Sequence, residues 1–96
     1  MRKLKTFFEK GKLLIKGSKK IPKRFYEEIL NACENYTFLN THNIDGWEKL
    51  NGLRNPFYKY ELNNQYRILC TPWKEFIVME HTDYECKIKI FKKQGY

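Results

Sequence analysis

Two runs of alternating residues with a short polar break between them constrain this chain more than any other feature. In Phe57 to Leu62, Tyr58, Tyr60 and Leu62 alternate with Lys59 and Glu61; in Tyr66 to Cys70, Tyr66, Ile68 and Cys70 alternate with Arg67 and Leu69. Strict alternation is the period of a half-buried strand, so the pair predicts a β-hairpin. Directly opposed residues share a face, and that decides the register. A two-residue Asn63-Asn64 turn would set Tyr60 against Arg67 and mix the two sets. A three-residue loop, Asn63-Asn64-Gln65, sets Leu62 against Tyr66, Tyr60 against Ile68 and Glu61 against Arg67. The second register keeps one face apolar and the other charged, and asparagine tolerates the backbone that such loops need. Lys59, Glu61 and Arg67 then share the face turned away from the helices.

The flanking segments extend the sheet. Trp47 to Leu53 leads into it, and Asn55-Pro56 interrupts regular structure. Thr71-Pro72 begins a turn, after which Glu75 to Thr82 reads as a third strand. Cys86 to Phe91 alternates again, as a last short strand or an ordered tail. Upstream, Lys3 to Phe8 could form a short edge strand, while Phe7, Phe8, Leu13, Leu14 and Ile15 suggest a first short helix ending near Gly17. Ser18-Lys19-Lys20 would link it to a second helix with Pro22 in its first turn. Ile21, Phe25, Ile29 and Cys33 recur at i+4, with Tyr26 and Leu30 beside them, a stripe one helix face wide. Two helices so closely joined predict an antiparallel pair. Asn35 to Gly46 reads as loop. The expected architecture is α+β: one domain over residues 1–96, with an N-terminal helical hairpin packed on a small, mainly antiparallel sheet of three to five strands.

Composition bounds the function. Ninety-six residues with 17% aromatic content suffice for one compact core. Cys33, Cys70 and Cys86 are odd in number and lack metal-ligand spacing, which predicts reduced thiols in a cytoplasm. The charged start and the lack of a long apolar run predict neither a signal peptide nor a membrane span. No His/Cys/carboxylate cluster suggests a metal and no Gly-rich loop suggests a nucleotide, so no cofactor is expected. The net charge of +8 is unevenly placed: residues 1–24 hold ten Lys/Arg against Glu9 alone, and residues 25–96 hold nine basic and ten acidic residues. Such a field attracts phosphate backbones or an acidic protein, or serves as a solvated helix face.

The order of these features resembles the RelE/ParE superfamily of toxin–antitoxin toxins, and most of all its ribosome-associated messenger-RNA endonucleases of the RelE, YoeB and HigB types. The residues that carry the likeness are Lys49-Leu50-Asn51-Gly52-Leu53, then Tyr58, then Tyr66-Arg67-Ile68, then the strand ending in Asp83-Tyr84. The stretch KGSKKIPKRFYEEIL looks like the family's helical hairpin. The resemblance implies attack by a ribose 2′-hydroxyl on its own 3′-phosphate, leaving a cyclic phosphate and a free 5′-hydroxyl. That reaction needs a base, an acid, cationic donors for the charge on phosphorus, and an aromatic to hold the splayed nucleotide.

On that resemblance Arg67 grips the phosphate and Tyr84 stacks on or orients the substrate. Glu48 stands where YoeB-like members carry a glutamate base. Asp83 matches the acidic residue of the HigB-type Asp-Tyr-His ending, and His81 is the imidazole available as an acid. Lys59, Lys49 and Arg54 are the expected substrate-binding cations. Each also has a plain reading: an Arg67–Glu61 cross-strand ion pair, a core Tyr84, a solvated Glu48 and ordinary strand residues at His81 and Lys59. The chain departs from the family at Glu85, where HigB-type members have histidine, at Glu61, and at Asn51, where many relatives have lysine. Trp47 and Trp73 fit core or partner contacts, and His42 has no assigned role. The implied partners are a cognate antitoxin, the ribosome and mRNA, with no membrane, and with a homodimer or a toxin–antitoxin hetero-oligomer as possible assemblies. Two other readings stay open: a ParE-like inhibitor of DNA gyrase, and a non-catalytic RNA-binding or inactivated toxin module.

Overall fold

The computed structural model describes residues 5–10, 13–17, 21–39, 46–73 and 75–95. Along these the chain forms β1 (Lys5–Lys10), β2 (Leu13–Gly17), a 3₁₀ turn (Lys23–Phe25), α1 (Tyr26–Leu39), β3 (Trp47–Lys49), β4 (Tyr58–Glu61), β5 (Tyr66–Cys70), β6 (Glu75–Glu80) and α2 (His81–Lys93). Among the described residues the strands make one six-stranded sheet in the order β1-β2-β6-β5-β4-β3. Every pairing is antiparallel except β2 with β6. The α+β class and the mainly antiparallel sheet match expectation, but six strands exceed the expected three to five.

The central hairpin has the register that alternation demanded. Tyr60 faces Ile68 and Glu61 faces Arg67. Leu62 N–H donates to Tyr66 O at 3.1 Å, which leaves Asn63-Asn64-Gln65 as the loop. Asn63 holds that loop with its side chain: its Oδ1 accepts from the backbone N–H of Gln65 at 2.8 Å and of Tyr66 at 2.9 Å. This is an asparagine turn, in which the amide stands in for a backbone acceptor.

The expected N-terminal helical hairpin is not there. Leu13–Gly17, expected at a helix end, is β2, and it lies parallel to β6 with Ile15 opposite Phe76. A short apolar run fits a buried strand as well as a helix, and here the partner strand decides. Part of the expected edge strand, Lys5 to Phe8, falls in β1, which does lie at the sheet edge. Residues 3–4, the Ser18-Lys19-Lys20 link and residues 40–45 lie outside the described residues. The predicted second helix is α1, whose ordered chain begins one 3₁₀ turn after Pro22 and runs to Leu39, into what was expected to be loop.

α1 packs on one sheet face. Its Ile29, Ala32 and Cys33 join Ile15, Trp47, Tyr58, Tyr66, Ile68, Cys70, Phe76 and Val78 in one buried cluster. Tyr36 of α1 meets Trp47, Tyr58 and Phe76 at ring-centroid distances of 5.0, 5.5 and 5.6 Å. Trp47 Nε1 donates to Ala32 O at 3.1 Å, so this buried indole keeps its hydrogen bond. Gly46, with φ +89°, is required where it stands: a Cβ there would meet the Tyr60 ring at 2.4 Å.

α2 packs on the other face. The alternation of Cys86, Ile88 and Ile90 predicted a strand or tail, but the segment is helical because another period serves burial better. Tyr84, Ile88 and Phe91 stand at i, i+4 and i+7 and pack with Phe57, Leu69, Ile77 and Met79. Ile90, off that stripe, is 48% exposed. Asp83 in the first turn and Lys92 and Lys93 in the last suit the helix dipole. The two helices therefore lie on opposite faces, and the face of Lys59, Glu61 and Arg67 is not free of helix, as alternation alone had implied.

Candidate functional site

On the α2 face the sheet changes character across its width. Strand alternation directs Glu48 of β3, Lys59 and Glu61 of β4, Arg67 and Leu69 of β5, and Ile77 and Met79 of β6 to this side. α2 covers the apolar half. The polar half borders it, and the seam between them carries the candidate site.

Lys59 and Arg67 share one carboxylate there. Lys59 Nζ lies 3.3 Å from Glu61 Oε1 and 3.7 Å from Glu48 Oε2, while Arg67 Nε lies 3.8 Å from the same Glu61 Oε1. The cations are the sheltered members: their side chains are 24% and 16% exposed, against 73% for Glu48 and 56% for Glu61. Arg67 Nη1 also donates to the backbone carbonyl oxygens of Asn63 and Tyr66, which ties the guanidinium to the hairpin loop. The Glu61–Arg67 cross-strand ion pair expected from register is present, and it belongs to a four-residue network. The hairpin register sets Glu61 against Arg67, and the pairing of β3 with β4 adds Glu48 on the other side of Lys59.

Tyr84 arrives from a different element. β6 ends at Glu80, which pairs with Tyr66, so the chain enters α2 at the same end of the sheet where Tyr66 and Arg67 open β5. Tyr84 is half-buried against the α2 cluster. Burial pushes its phenol above the ordinary range; the Arg67 guanidinium pulls it back, and the carboxylates of Glu61, Glu48 and Glu85 push it further up. Arg67, Glu61 and Glu48 act on this phenol because the fold brings the start of α2 to their end of the sheet, while Glu85 is its neighbour in the chain. At neutral pH Tyr84 is a hydrogen-bond donor and a ring, not a base.

The other expected residues divide. His81 opens α2, and its backbone N–H donates to Gln65 O at 2.7 Å, which anchors the helix start to the hairpin loop near Arg67. Its side chain is exposed. Asp83 lies in the first turn of α2, half-buried. Asp83 and Tyr84 thus belong to a helix and not to the end of a strand. Lys49 lies apart from them: it pairs with Tyr58, a member of the α1-side core, so alternation places it on the opposite face from Glu48 and Lys59. Arg54 lies apart too. It is exposed in the connection between β3 and β4, at the far end of the sheet from Glu61 and Arg67. A cleft of about 360 Å³ opens on the α1 side, lined by Arg24, Glu27, Glu28, Trp47 and Tyr60 among others. None of the expected site residues lines it.

Among the described residues there is no group of three or more His, Cys, Asp or Glu side chains that could hold a metal ion. The cysteines are thiols outside any disulfide, with Cys33 and Cys70 buried and Cys86 exposed. No described helix is long and apolar enough to cross a membrane. Comparison with protein-family models, with curated proteins and with solved structures finds no match to this chain.

Proposed function

We propose that this chain is a RelE/ParE-like toxin of a type II toxin–antitoxin system, acting as a ribosome-associated endoribonuclease that cleaves mRNA through its own ribose 2′-hydroxyl. One observation carries the reading: Arg67 from β5 and Tyr84 from α2 lie at the same end of one sheet face, near enough for the guanidinium to act on the phenol, with Lys59, Glu48 and Glu61 in the ion-pair network around Arg67. The resemblance of the residue order to that family supplies the substrate class.

In the proposed reaction the 2′-oxygen attacks the adjacent phosphorus and the 5′-oxygen leaves. The 2′ proton passes to a base and a proton is delivered to the leaving oxygen, so a 2′,3′-cyclic phosphate and a 5′-hydroxyl result. Glu48 is the accessible carboxylate for the first transfer. Arg67 and Lys59 stabilise the charge that develops on the phosphoryl oxygens. Tyr84, held as a phenol, offers a ring for the splayed base and a donor for the phosphate. His81, at the start of α2, is the side chain available for the second transfer. A cognate antitoxin would neutralise the activity in a cytoplasm.

Induction of the chain without antitoxin should arrest growth and produce discrete mRNA breaks by primer extension, with 5′-hydroxyl ends. Arg67→Ala should lower cleavage by about 10²- to 10³-fold, the effect of deleting one donor to a transition-state oxyanion. Arg67→Lys, which keeps the charge and loses the fork, separates phosphate recognition from loop anchoring, and circular dichroism checks folding of both. Wild-type growth with folded protein present would sink the proposal. Toxicity that survives Arg67→Ala and Tyr84→Phe and comes with DNA damage would move the chain to the gyrase-inhibiting branch.

A second reading has its own support. The site cations are already neutralised, Lys59 by Glu48 and Glu61 and Arg67 by Glu61. A non-catalytic RNA-binding module would tolerate that arrangement, and salt-sensitive RNA binding on ribosomes without cleavage would select it.

A further inference from the structure

The end of the molecule opposite Arg67 and Tyr84 has a different chemistry. Three segments converge there: the connection from β3 to β4, the turn from β5 to β6, and the C-terminal half of α2. Trp73, in that turn, is 51% exposed, although its ring stacks edge-on against Phe57 at 6.0 Å and Phe91 at 6.1 Å. Phe57 and Phe91 stand 4.9 Å apart beneath it. The indole is thus held from below by two core rings while much of its surface faces water. Indole is the largest apolar side chain, and a rigid seat for it on the surface is the arrangement of a contact platform.

Cations surround that platform. Lys87 Nζ lies 5.5 Å from the centroid of Phe91, the same ring that supports Trp73. Lys92 leans the other way over the β3–β4 connection, where its Nζ comes within 3.3 Å of the position a Cβ on Gly52 would take. Arg54 is exposed two residues further along that connection, and Lys89 and Lys93 are exposed on α2. Neither residues 49–58 nor residues 86–95 contain an acidic side chain. This contrasts with the Arg67 end, where each cation has a carboxylate beside it. A surface rich in cations around a rigid flat ring complements a polyanion that carries flat rings of its own.

We infer that Trp73, flanked by Lys87, Lys92 and Arg54, forms a platform for single-stranded RNA: the indole stacks on a base and the cations take the adjoining phosphates. The choice of RNA rests on the function proposed above. The platform lies a sheet-length away from the Arg67–Tyr84 seam, so one strand of RNA could engage both ends of this face.

The test is titration of the full chain with a short uridine-rich ribo-oligonucleotide, read by tryptophan fluorescence and by anisotropy of a labelled strand. Trp47 is buried at 6% exposure, so quenching on binding should come from Trp73. Trp73→Ala should weaken binding by about tenfold or more, as loss of one stacking platform does. Trp73→Phe should retain binding and lose the quenching. The Lys87→Ala/Lys92→Ala pair should lower the slope of log affinity against log salt by about 0.7 for each cation removed. Wild-type affinity and slope in these variants would overturn the inference, as would equal binding to polyglutamate or to vesicles of anionic phospholipid, neither of which offers a base. Two outcomes separate this surface from the proposed activity. Quenching and Trp73-dependent binding without cleavage would retain the platform and remove the nuclease; cleavage on ribosomes indifferent to Trp73→Ala, with oligonucleotide binding also unchanged, would do the reverse.

Discussion

Glu61 decides what the charged seam can do. Its Oε1 lies within ion-pair distance of both Lys59 and Arg67, so a phosphate approaching either cation competes with a carboxylate already in place. Partly exposed pairs of this kind are worth about 0.2–1 kcal/mol, a modest hold that a phosphate can displace. Glu61→Gln should therefore raise the affinity of the site for RNA, and cleavage where it occurs, by roughly twofold to fivefold; a decrease would mean that Glu61 positions Arg67 instead of competing for it. Tyr84 makes a second residue-level case. Burial chiefly raises its phenol, as it raises those of Tyr36 and Tyr60 and the thiol of Cys33. A raised folded value means that the native state holds the proton more tightly than the unfolded chain does. The stability this contributes is complete below the unfolded values, about 8.5 for a thiol and about 10 for a phenol, and is lost as pH rises past them. The unfolding midpoint should thus stay level from neutrality to about pH 8 and fall from about pH 9 upward, and Tyr84→Phe should flatten part of that fall. Melting curves across this range read the sign directly.

At the scale of elements, α2 is where two periodicities compete. In a strand, Ile88 and Ile90 would share a face and substitution of either would have similar effects. In the helix, Ile88 packs beside Phe91 against Phe57, Leu69, Ile77 and Met79, while Ile90 points to solvent. Phe91→Ala should lower stability by about 3–5 kcal/mol, because it empties the space beneath Phe57 and Trp73. Ile88→Ala should lower it by at least about 1 kcal/mol, and Ile90→Ala should stay within about 0.5 kcal/mol. Urea denaturation gives all three. Equal losses at positions 88 and 90 would contradict the helix. The β4–β5 hairpin poses no such competition, since alternation and a three-residue loop agree on one register, and the Asn63 amide locks it. β2 is the opposite case. Leu13–Gly17 has an apolar run too short to declare its period, and the parallel edge of β6 claims it as a strand.

At the scale of the whole molecule, one sheet separates two apolar layers, and the two kinds of charged surface lie at opposite ends of its α2 side. α1 seals one face; α2 seals half of the other and leaves the Glu48–Lys59–Glu61–Arg67 seam along its flank. The thiols report on this layering: Cys33 and Cys70 lie in the α1-side core and Cys86 faces solvent. A disulfide exchange reagent should modify Cys86 quickly in the native protein and reach the other two thiols only on unfolding, with mass spectrometry of digests locating the label. Sequence alone determined what depends on neighbours in the chain. That covers the hairpin and its register, the α1 stripe, the mainly antiparallel α+β class and the Glu61–Arg67 pair, because periods of 2 and 3.6 and loop length are local properties. Tertiary structure decided the rest. It set the state of Leu13–Gly17 and of residues 81–93, the strand count, the side of the sheet each helix covers, the approach of Tyr84 to Arg67, the removal of Lys49 and Arg54 from that site, and the exposure of Trp73. Each of these is a contact between segments distant in the chain, and its free energy is gained only when another element arrives to bury one face in preference to the other.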